Sequence, residues 1–157
     1  MGMRLGDLLV AQGVMTASQR DAVLEEQQRS GRPFGDIAER LLGVSREAIE
    51  RAWAEQYTQL AARLDPMAER VDPRAVALVS RRQAWQFRVL PLRFEGRDLV
   101  VCTTAEHLVR ALRFCTWHLG HHCYFVTSEA EALGRALMAH YPLAGMEPGV
   151  VARGVAR

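Results

Sequence analysis

The chain has 157 residues, a formal net charge of +2 and 49% hydrophobic residues, which is typical of a soluble protein with one domain or two small ones. All 20 basic residues are Arg, which excludes a Schiff-base lysine and the lysine of a P-loop NTPase. The small charge gives no reason to expect DNA binding. The three Cys lack a disulfide-framework spacing and no apolar run could span a bilayer. We therefore expect a cytoplasmic protein that does not insert into a membrane.

The N-terminal third of the chain is an internal repeat. Residues 4–27 begin with Arg-Leu-Gly-Asp and close on Gln27, and residues 33–56 begin with Pro-Phe-Gly-Asp and close on Gln56. The two segments align without a gap, which predicts two copies of one helical unit. Two copies of a unit suit a binding partner that is itself duplicated.

The first copy is predicted to form a short helix and then a longer one. A helix from Leu5 would end at Gly13, and a capping-box pattern over 16–19 would open a second helix that Gly31 and Pro33 together break. The predicted inward residues of that second helix are Ala22, Val23 and Leu24, with Gln27 near its last turns.

The second copy repeats this order. It is predicted to have a helix from Phe34 to Leu41, a turn at Gly43, and a helix that Ser45 caps and that runs to Gln56. Four helices in two similar pairs result.

The rest of the chain is predicted to form an αββαβα subdomain after a connector over 59–72. Asp72 would cap a helix whose first residue is Pro73. The predicted elements are a helix over 74–87, strands over 89–94 and 98–103 around a glycine turn, a helix over 105–119, a strand over 122–127, and a helix to Tyr141 that a capping box at Ser128 opens. Residues 142–157 are predicted to be a flexible tail. The predicted fold class is α+β: a four-helix tandem repeat, residues 1–58, packed with a small αββαβα subdomain, residues 73–141.

The doubled motif and the αββαβα unit together resemble the N-terminal (MshEN) domain of type II secretion and type IV pilus assembly ATPases. In some members that domain binds the second messenger cyclic di-GMP. The binding motif is Arg-Leu-Gly, an apolar pair, a second Gly, two Leu and a closing Gln, written twice with a short spacer. Residues 4–27 and 33–56 are two such segments, and the resemblance continues through 88–93 and 99–101 to about Tyr141.

The resemblance implies a non-enzymatic regulatory domain whose ligand is cyclic di-GMP and which takes no further cofactor and no metal. It would control an attached secretion or pilus ATPase, or a membrane-associated glycosyltransferase. A further candidate partner is the cytoplasmic domain of an inner-membrane protein. The implied ligand-binding residues, with substitutes where the second copy departs from the motif, are Arg4, Leu5, Gly6, Leu9, Gly13, Leu24, Gln27, Arg32, Phe34, Gly35, Trp53 and Gln56.

These residue types suit that ligand, which carries two phosphates and two guanines about an approximate twofold axis. An Arg guanidinium can bind a phosphate or the O6/N7 edge of guanine, and it can stack on the base. A Gln can donate and accept at a base edge, while Leu and Gly cover the ligand and permit close backbone approach.

The two copies match the motif unevenly. The first departs from it only at Arg20, where a Leu is expected. The second has Pro33, Phe34, Leu42 and Trp53 in place of motif residues. Because Pro33 cannot make the contact of the missing Arg, the second half of the ligand is expected to be held more weakly. Arg32 stands one residue before the expected place and could partly substitute for that Arg.

Other interpretations of the same residues remain open. Leucines at helical spacing are also what a simple core requires, and a degenerate copy could dock a secretion or pilus partner without any nucleotide. A group of metal-capable side chains also occurs, at Cys115, His118, His121, His122 and Cys123. Strand alternation would send His122 and Cys123 to opposite faces, so no metal site is predicted there.

Overall fold

The computed structural model describes residues 4–54 and 61–153, which form the α+β fold that the sequence predicts. The α-helices are α1 (Leu5–Ala11), α2 (Ala17–Ser30), α3 (Phe34–Leu42), α4 (Arg46–Ala54), α5 (Pro73–Val76), α6 (Arg81–Phe87), α7 (Leu108–His118) and α8 (Ala130–His140). The strands are β1 (Leu90–Glu95), β2 (Asp98–Thr104) and β3 (Cys123–Ser128), and short 3-10 turns occupy Pro66–Ala68 and Pro148–Val150. None of the helices in these two ranges is long and apolar enough to cross a bilayer.

Helix α2 has the ends that its sequence predicts. The Thr16 hydroxyl accepts a hydrogen bond from the Gln19 backbone amide at 3.1 Å, and the Gln19 side chain accepts one from the Thr16 amide at 2.9 Å. Gly31 ends the helix with a φ of 69°, in the left-handed region that glycine adopts without strain. The capping box and the glycine stop are thus both confirmed.

The buried face of α2 differs from the predicted one. Val23 and Gln27, one turn apart, are buried, while Leu24 is partly exposed and Ala22 lies in solvent. The prediction that Ala22 faces inward was wrong because three consecutive residues cannot share one face of a helix. The buried polar side chain of Gln27 is the unusual feature of this face.

The second copy of the repeat forms α3 and α4. The Ser45 hydroxyl accepts from the Ala48 amide at 3.1 Å and caps α4, as predicted. Ile49 and Trp53 of α4 are fully buried in the core. The predicted closing residue of this copy, Gln56, lies outside the described residues.

The helix predicted over 74–87 is two helices, α5 and α6. Asp72 caps α5, with its carboxylate accepting from the Arg74 amide at 2.8 Å, and Pro73 is the first helical residue as predicted. Ser80 then begins α6 with a capping box of its own, in which Gln83 is the reciprocal partner. The capping box was missed because it lies within a stretch that otherwise has a helical pattern. The prediction of one long helix was wrong because Ser80 begins a new helix inside that stretch.

The αββαβα order is confirmed. Strands β1 and β2 form an antiparallel hairpin, and α7 crosses over to β3, which pairs in parallel with β2. Helix α7 begins at Leu108 and not at 105, because Thr104 and His107 close a turn before it. Helix α8 begins after Glu129, and its predicted cap was wrong because the Ser128 hydroxyl donates to the Glu129 carbonyl instead.

The described part of the predicted flexible tail, residues 142–153, is packed against the fold. Val151 is fully buried, and the Arg88 guanidinium donates to the Val150 carbonyl at 3.1 Å. A β-carbon on Gly134 of α8 would overlap the Pro148 carbonyl, so the chain crosses α8 at backbone contact there. The composition of this segment hid its packing, because its apolar residues show no periodicity and so gave no helix or strand signal.

His107 makes the start of α7 sensitive to pH. Its Nδ1 lies 2.7 Å from the Thr104 hydroxyl, and the ring is buried. Burial, and next the positive charge of Arg88, lower the pKa of His107. The unfolded chain therefore binds a proton more readily than the folded one. We expect the free energy of unfolding to fall as the pH drops below about 6.5, with a slope from this group of at most about 1.4 kcal/mol per pH unit.

Urea denaturation between pH 8 and pH 5 would measure this effect. His107→Asn keeps a hydrogen-bonding atom near the Thr104 hydroxyl and does not titrate, so its unfolding free energy should fall less over the same range. Equal pH slopes in the two proteins would show that His107 does not contribute.

Candidate functional site

A cleft of about 1030 Å³ separates α2 from the hairpin and from the α7–β3 loop. Its size is at the upper end of the roughly 300–1,000 Å³ usual for small-molecule sites. Two units of the fold therefore contribute its walls, the helical repeat on one side and the αββαβα unit on the other. Such junctions are common places for ligand sites.

The helical wall contains two residues that the motif singles out, Leu24 and Gln27. Leu24 is partly exposed toward the cleft, while the Gln27 side chain is only 4% exposed. The Gln27 amide nitrogen donates to the Arg32 carbonyl at 3.2 Å. Gln27 thus fixes the turn between α2 and α3 as well as facing the cleft.

The hairpin turn provides two charged residues on the opposite wall, Arg97 and Asp98. Each of them contacts the helical repeat: Arg97 donates to the Gln28 side chain, and Asp98 accepts from the Arg4 guanidinium. Neighbouring residues of one turn therefore connect α2 and the start of α1 to the sheet. Arg4 itself is half exposed and does not line the cleft; it contacts the cleft wall through Asp98.

Asp98 also accepts from His122, whose Nδ1 lies 3.0 Å from its second carboxylate oxygen. Burial alone would raise the pKa of this carboxyl, but the hydrogen bond and charge of His122 and the charge of Arg4 outweigh it, so the pKa of Asp98 is lowered. The carboxylate is therefore ionised at neutral pH. It is a partly buried anion of the site.

Three histidines line the side of the cleft formed by the end of α7 and the loop after it: His118, His121 and His122. The His121 ring packs edge-on against Phe94, with ring centroids 5.2 Å apart. The Nε2 atom of His122 is buried with no protein partner. These rings can stack on a flat ligand and exchange hydrogen bonds with it.

The two walls meet where Gly31 and Gly120 touch. A β-carbon built on Gly120 would overlap the Gly31 carbonyl oxygen and lie 2.9 Å from the carbonyl carbon. Both residues line the cleft. The end of α2 and the α7–β3 loop therefore approach at a distance that only glycine allows.

The two repeat glycines, Gly6 and Gly35, are covered by side chains of the protein itself. A β-carbon on Gly6 would lie 3.0 Å from the Arg20 side chain and 3.5 Å from His122 Nε2. A β-carbon on Gly35 would lie 2.8 Å from the indole of Trp117. Arg20, the residue that departs from the motif in the first copy, thus packs over the glycine of that copy.

The other predicted site residues are dispersed. Arg32 is exposed beside the Gln27 bond, and Gly13 lies in an open turn with a φ of 75°. Gln56 lies outside the described residues. The apolar ones are buried in the core at 0–3% exposure: Leu5, Leu9, Phe34 and Trp53. Phe34 is near the cleft, since its ring centroid is 5.5 Å from that of His122.

No sequence motif marks Arg97 or Asp98, and His122 stands out in the sequence only as a member of the group of metal-capable side chains. A polar turn between two apolar strands gives no signal of function by itself. His122 and Asp98 come together only because β2 and β3 are parallel neighbours, with Leu99 donating to the His122 carbonyl at 2.8 Å. Within residues 4–54 and 61–153, no group of three metal-capable side chains is arranged to hold an ion.

The model of the MshEN domain family matches residues 57–147. The chain belongs to the MshEN domain family. The tandem repeat over 4–54 precedes the matched segment of this MshEN chain. Among solved structures, the chain is similar to a structure of MshE with cdg, at 25% identity and a TM-score of 0.46, over 88% of this chain and 99% of that one. No curated protein sequence matches it.

Proposed function

We propose that this MshEN domain is a non-enzymatic regulatory domain that binds cyclic di-GMP in the cleft between α2 and the hairpin. The observation that carries the proposal is the position of Leu24 and Gln27. These two residues of the first motif copy line the same cleft as the loops of the segment that matches the family, although those loops are far away in the sequence. The choice of cyclic di-GMP as the ligand rests on the resemblance of the repeat to the cyclic di-GMP-binding motif.

The chemistry of the cleft supports a ligand with phosphates and purine bases. Arg97 lines the cleft together with the carboxylates of Asp21, Glu25 and Asp98, and Arg4 is connected to the cleft through its contact with Asp98. Each guanidinium can hold a phosphate through two parallel N–H donors. The rings of Phe94 and His121 offer faces on which a guanine can stack. Gln27 offers its amide oxygen for a base edge, while its amide nitrogen donates to the Arg32 carbonyl.

The second copy of the repeat contributes less to the proposed site. Trp117 covers Gly35, and the guanidinium of Arg46 lies 3.9 Å above the centre of the same indole ring. These contacts occupy the surface that a second half-site would use. We propose that the ligand is held mainly by the first copy and the αββαβα unit, with Arg32 of the spacer in place of the Arg that the second copy lacks.

The regulated enzyme is also part of the proposal: an attached secretion or pilus ATPase, or a membrane-associated glycosyltransferase. The cleft lies between two units that are bridged by polar contacts, such as the bond from Arg97 to Gln28, and by apolar packing, such as that of Trp117 on Gly35. A ligand that replaces those polar contacts would change the relative pose of the two units. Such a change of pose can be transmitted to an attached domain.

We expect Arg4→Ala and Gln27→Ala each to weaken cyclic di-GMP binding by roughly 1.5–3 kcal/mol, because each removes one polar contact to the ligand. Isothermal titration calorimetry with the dinucleotide would measure both effects. Since Gln27 also donates to the Arg32 carbonyl, the unfolding free energy of the Gln27→Ala variant should be compared with that of the wild type by urea denaturation.

Two exposed positions outside the cleft provide matched controls. Arg29→Ala removes a guanidinium from the same helix, where it pairs with Glu26, and Gln86→Ala removes an exposed amide from α6. Both should leave the dissociation constant within about twofold, the scatter expected of surface changes. Wild-type affinity in both Arg4→Ala and Gln27→Ala would remove the first copy from the site. Absence of any binding to the wild type would favour the alternative of a partner-docking module.

A further inference from the structure

Arg4 and Asp98 form the contact on which the further inference rests. Arg4 precedes α1, and its guanidinium donates to one oxygen of the Asp98 carboxylate. The second oxygen accepts from His122 at 3.0 Å. Both oxygens of the carboxylate are therefore occupied, and Asp98 faces the cleft with its side chain 17% exposed.

A carboxylate and a phosphate compete for the same guanidinium donors. Arg4 offers its Nε–H to Asp98, and this is one edge of the planar fork that binds an oxyanion. An anionic ligand that takes this edge must displace Asp98. A ligand that does not take it still lies near an ionised carboxylate, which repels its phosphates.

We infer that Asp98 acts as an internal substitute for a ligand phosphate, holding Arg4 closed against the hairpin until cyclic di-GMP displaces it. The inference rests on the proposed function, since the ligand is the one proposed for the cleft. Asp98 thereby sets the affinity of the site from within and opposes binding. Loss of the Asp98 charge should therefore strengthen binding, whereas loss of a residue that contacts the ligand should weaken it.

The test variant is Asp98→Asn, which removes the charge but keeps an oxygen that can accept from His122. We expect cyclic di-GMP to bind roughly three- to tenfold more tightly, the effect of losing one partly exposed ion pair and its repulsion of the ligand. The matched control is Glu95→Gln. Glu95 stands opposite Asp98 across the same hairpin and pairs with Arg93. Its substitution therefore changes the charge of the hairpin by the same amount as Asp98→Asn but leaves the contact of Arg4 in place.

A double-mutant cycle separates release of Arg4 from general repulsion. If Asp98 acts by holding Arg4, then Asp98→Asn should strengthen binding much less when Arg4 is already Ala. Titration calorimetry of the wild type, both single variants and the double variant gives the four dissociation constants. Circular dichroism and urea denaturation would establish that all four proteins are folded.

The outcomes distinguish failure of the inference from failure of the proposed function. Tighter binding in Asp98→Asn that depends on Arg4 supports the inference, as does binding that appears only in this variant. Unchanged or weaker binding in a folded Asp98→Asn protein overturns the inference. A gain in affinity that persists in the Arg4→Ala background, or that appears equally in Glu95→Gln, also overturns it. If no protein of the set binds the dinucleotide, the proposed function fails, and the inference fails with it.

Discussion

Gly120→Ala should destabilise the protein by about 3 kcal/mol, at the upper end of the range for overpacking a close contact. The added β-carbon would lie inside the van der Waals distance of the Gly31 carbonyl group. Backbone atoms cannot move aside as a flexible side chain can, so the end of α2 and the α7–β3 loop must separate. The same separation would widen the cleft and weaken ligand binding.

Gly149→Ala is the control for the Gly120 variant. Gly149 has an ordinary φ, and a β-carbon there would meet no atom within 4 Å. Its unfolding midpoint in urea should therefore stay close to that of the wild type, while the midpoint of Gly120→Ala should fall with little change in the denaturant slope. Equal midpoints for the two variants would contradict the close approach of Gly31 and Gly120.

Gly35→Ala should cost about 2 kcal/mol, although alanine is favoured over glycine in a helix by about 1 kcal/mol. Its β-carbon would press on the Trp117 indole, which is 5% exposed and has the Arg46 guanidinium over one face. The ring has little room to shift. The two repeat glycines should therefore differ, because a β-carbon on Gly6 would approach most closely the flexible Arg20 side chain, at 3.0 Å, with His122 Nε2 at 3.5 Å.

The comparison of Gly6→Ala with Gly35→Ala by thermal denaturation tests this asymmetry, and the Gly6 variant should lose less stability. A double-mutant cycle with Trp117→Leu identifies the neighbour responsible. In that background the further loss caused by Gly35→Ala should nearly disappear, because the ring is gone. A Gly35→Ala cost that is independent of Trp117 would refute the packing explanation.

Local signals in the sequence predicted most of the fold. The capping box at Thr16, the Asp72-Pro73 start and the stop at Gly31 depend on residues close together in the chain, and each appears where it was expected. The errors occurred where two local signals competed. Ser80 interrupts a stretch that otherwise favours helix, and Ser128 was assigned to a cap that it does not form.

The candidate site was predicted only on its helical side. Gln27 and Leu24 could be found because the repeat marks them, whereas Asp98 and His122 carry no motif. Their contact depends on the parallel pairing of β2 with β3, which the sequence of neither strand specifies. The covering of Gly35 by Trp117 likewise joins residues from different units, so the motif alone could not show that this glycine is covered by another side chain.

The three cysteines are all buried, which has a consequence for the chemical reactivity of the folded chain. Burial raises the pKa of Cys102 to about 12, and burial together with the neighbouring Cys123 thiol raises that of Cys115. Since the thiolate is the reactive form, electrophiles and oxidants meet almost no thiolate at Cys102 and Cys115 while the core is intact. Alkylation of these native thiols therefore reports opening of the core, and a single cysteine placed on the surface would be the site that accepts a probe.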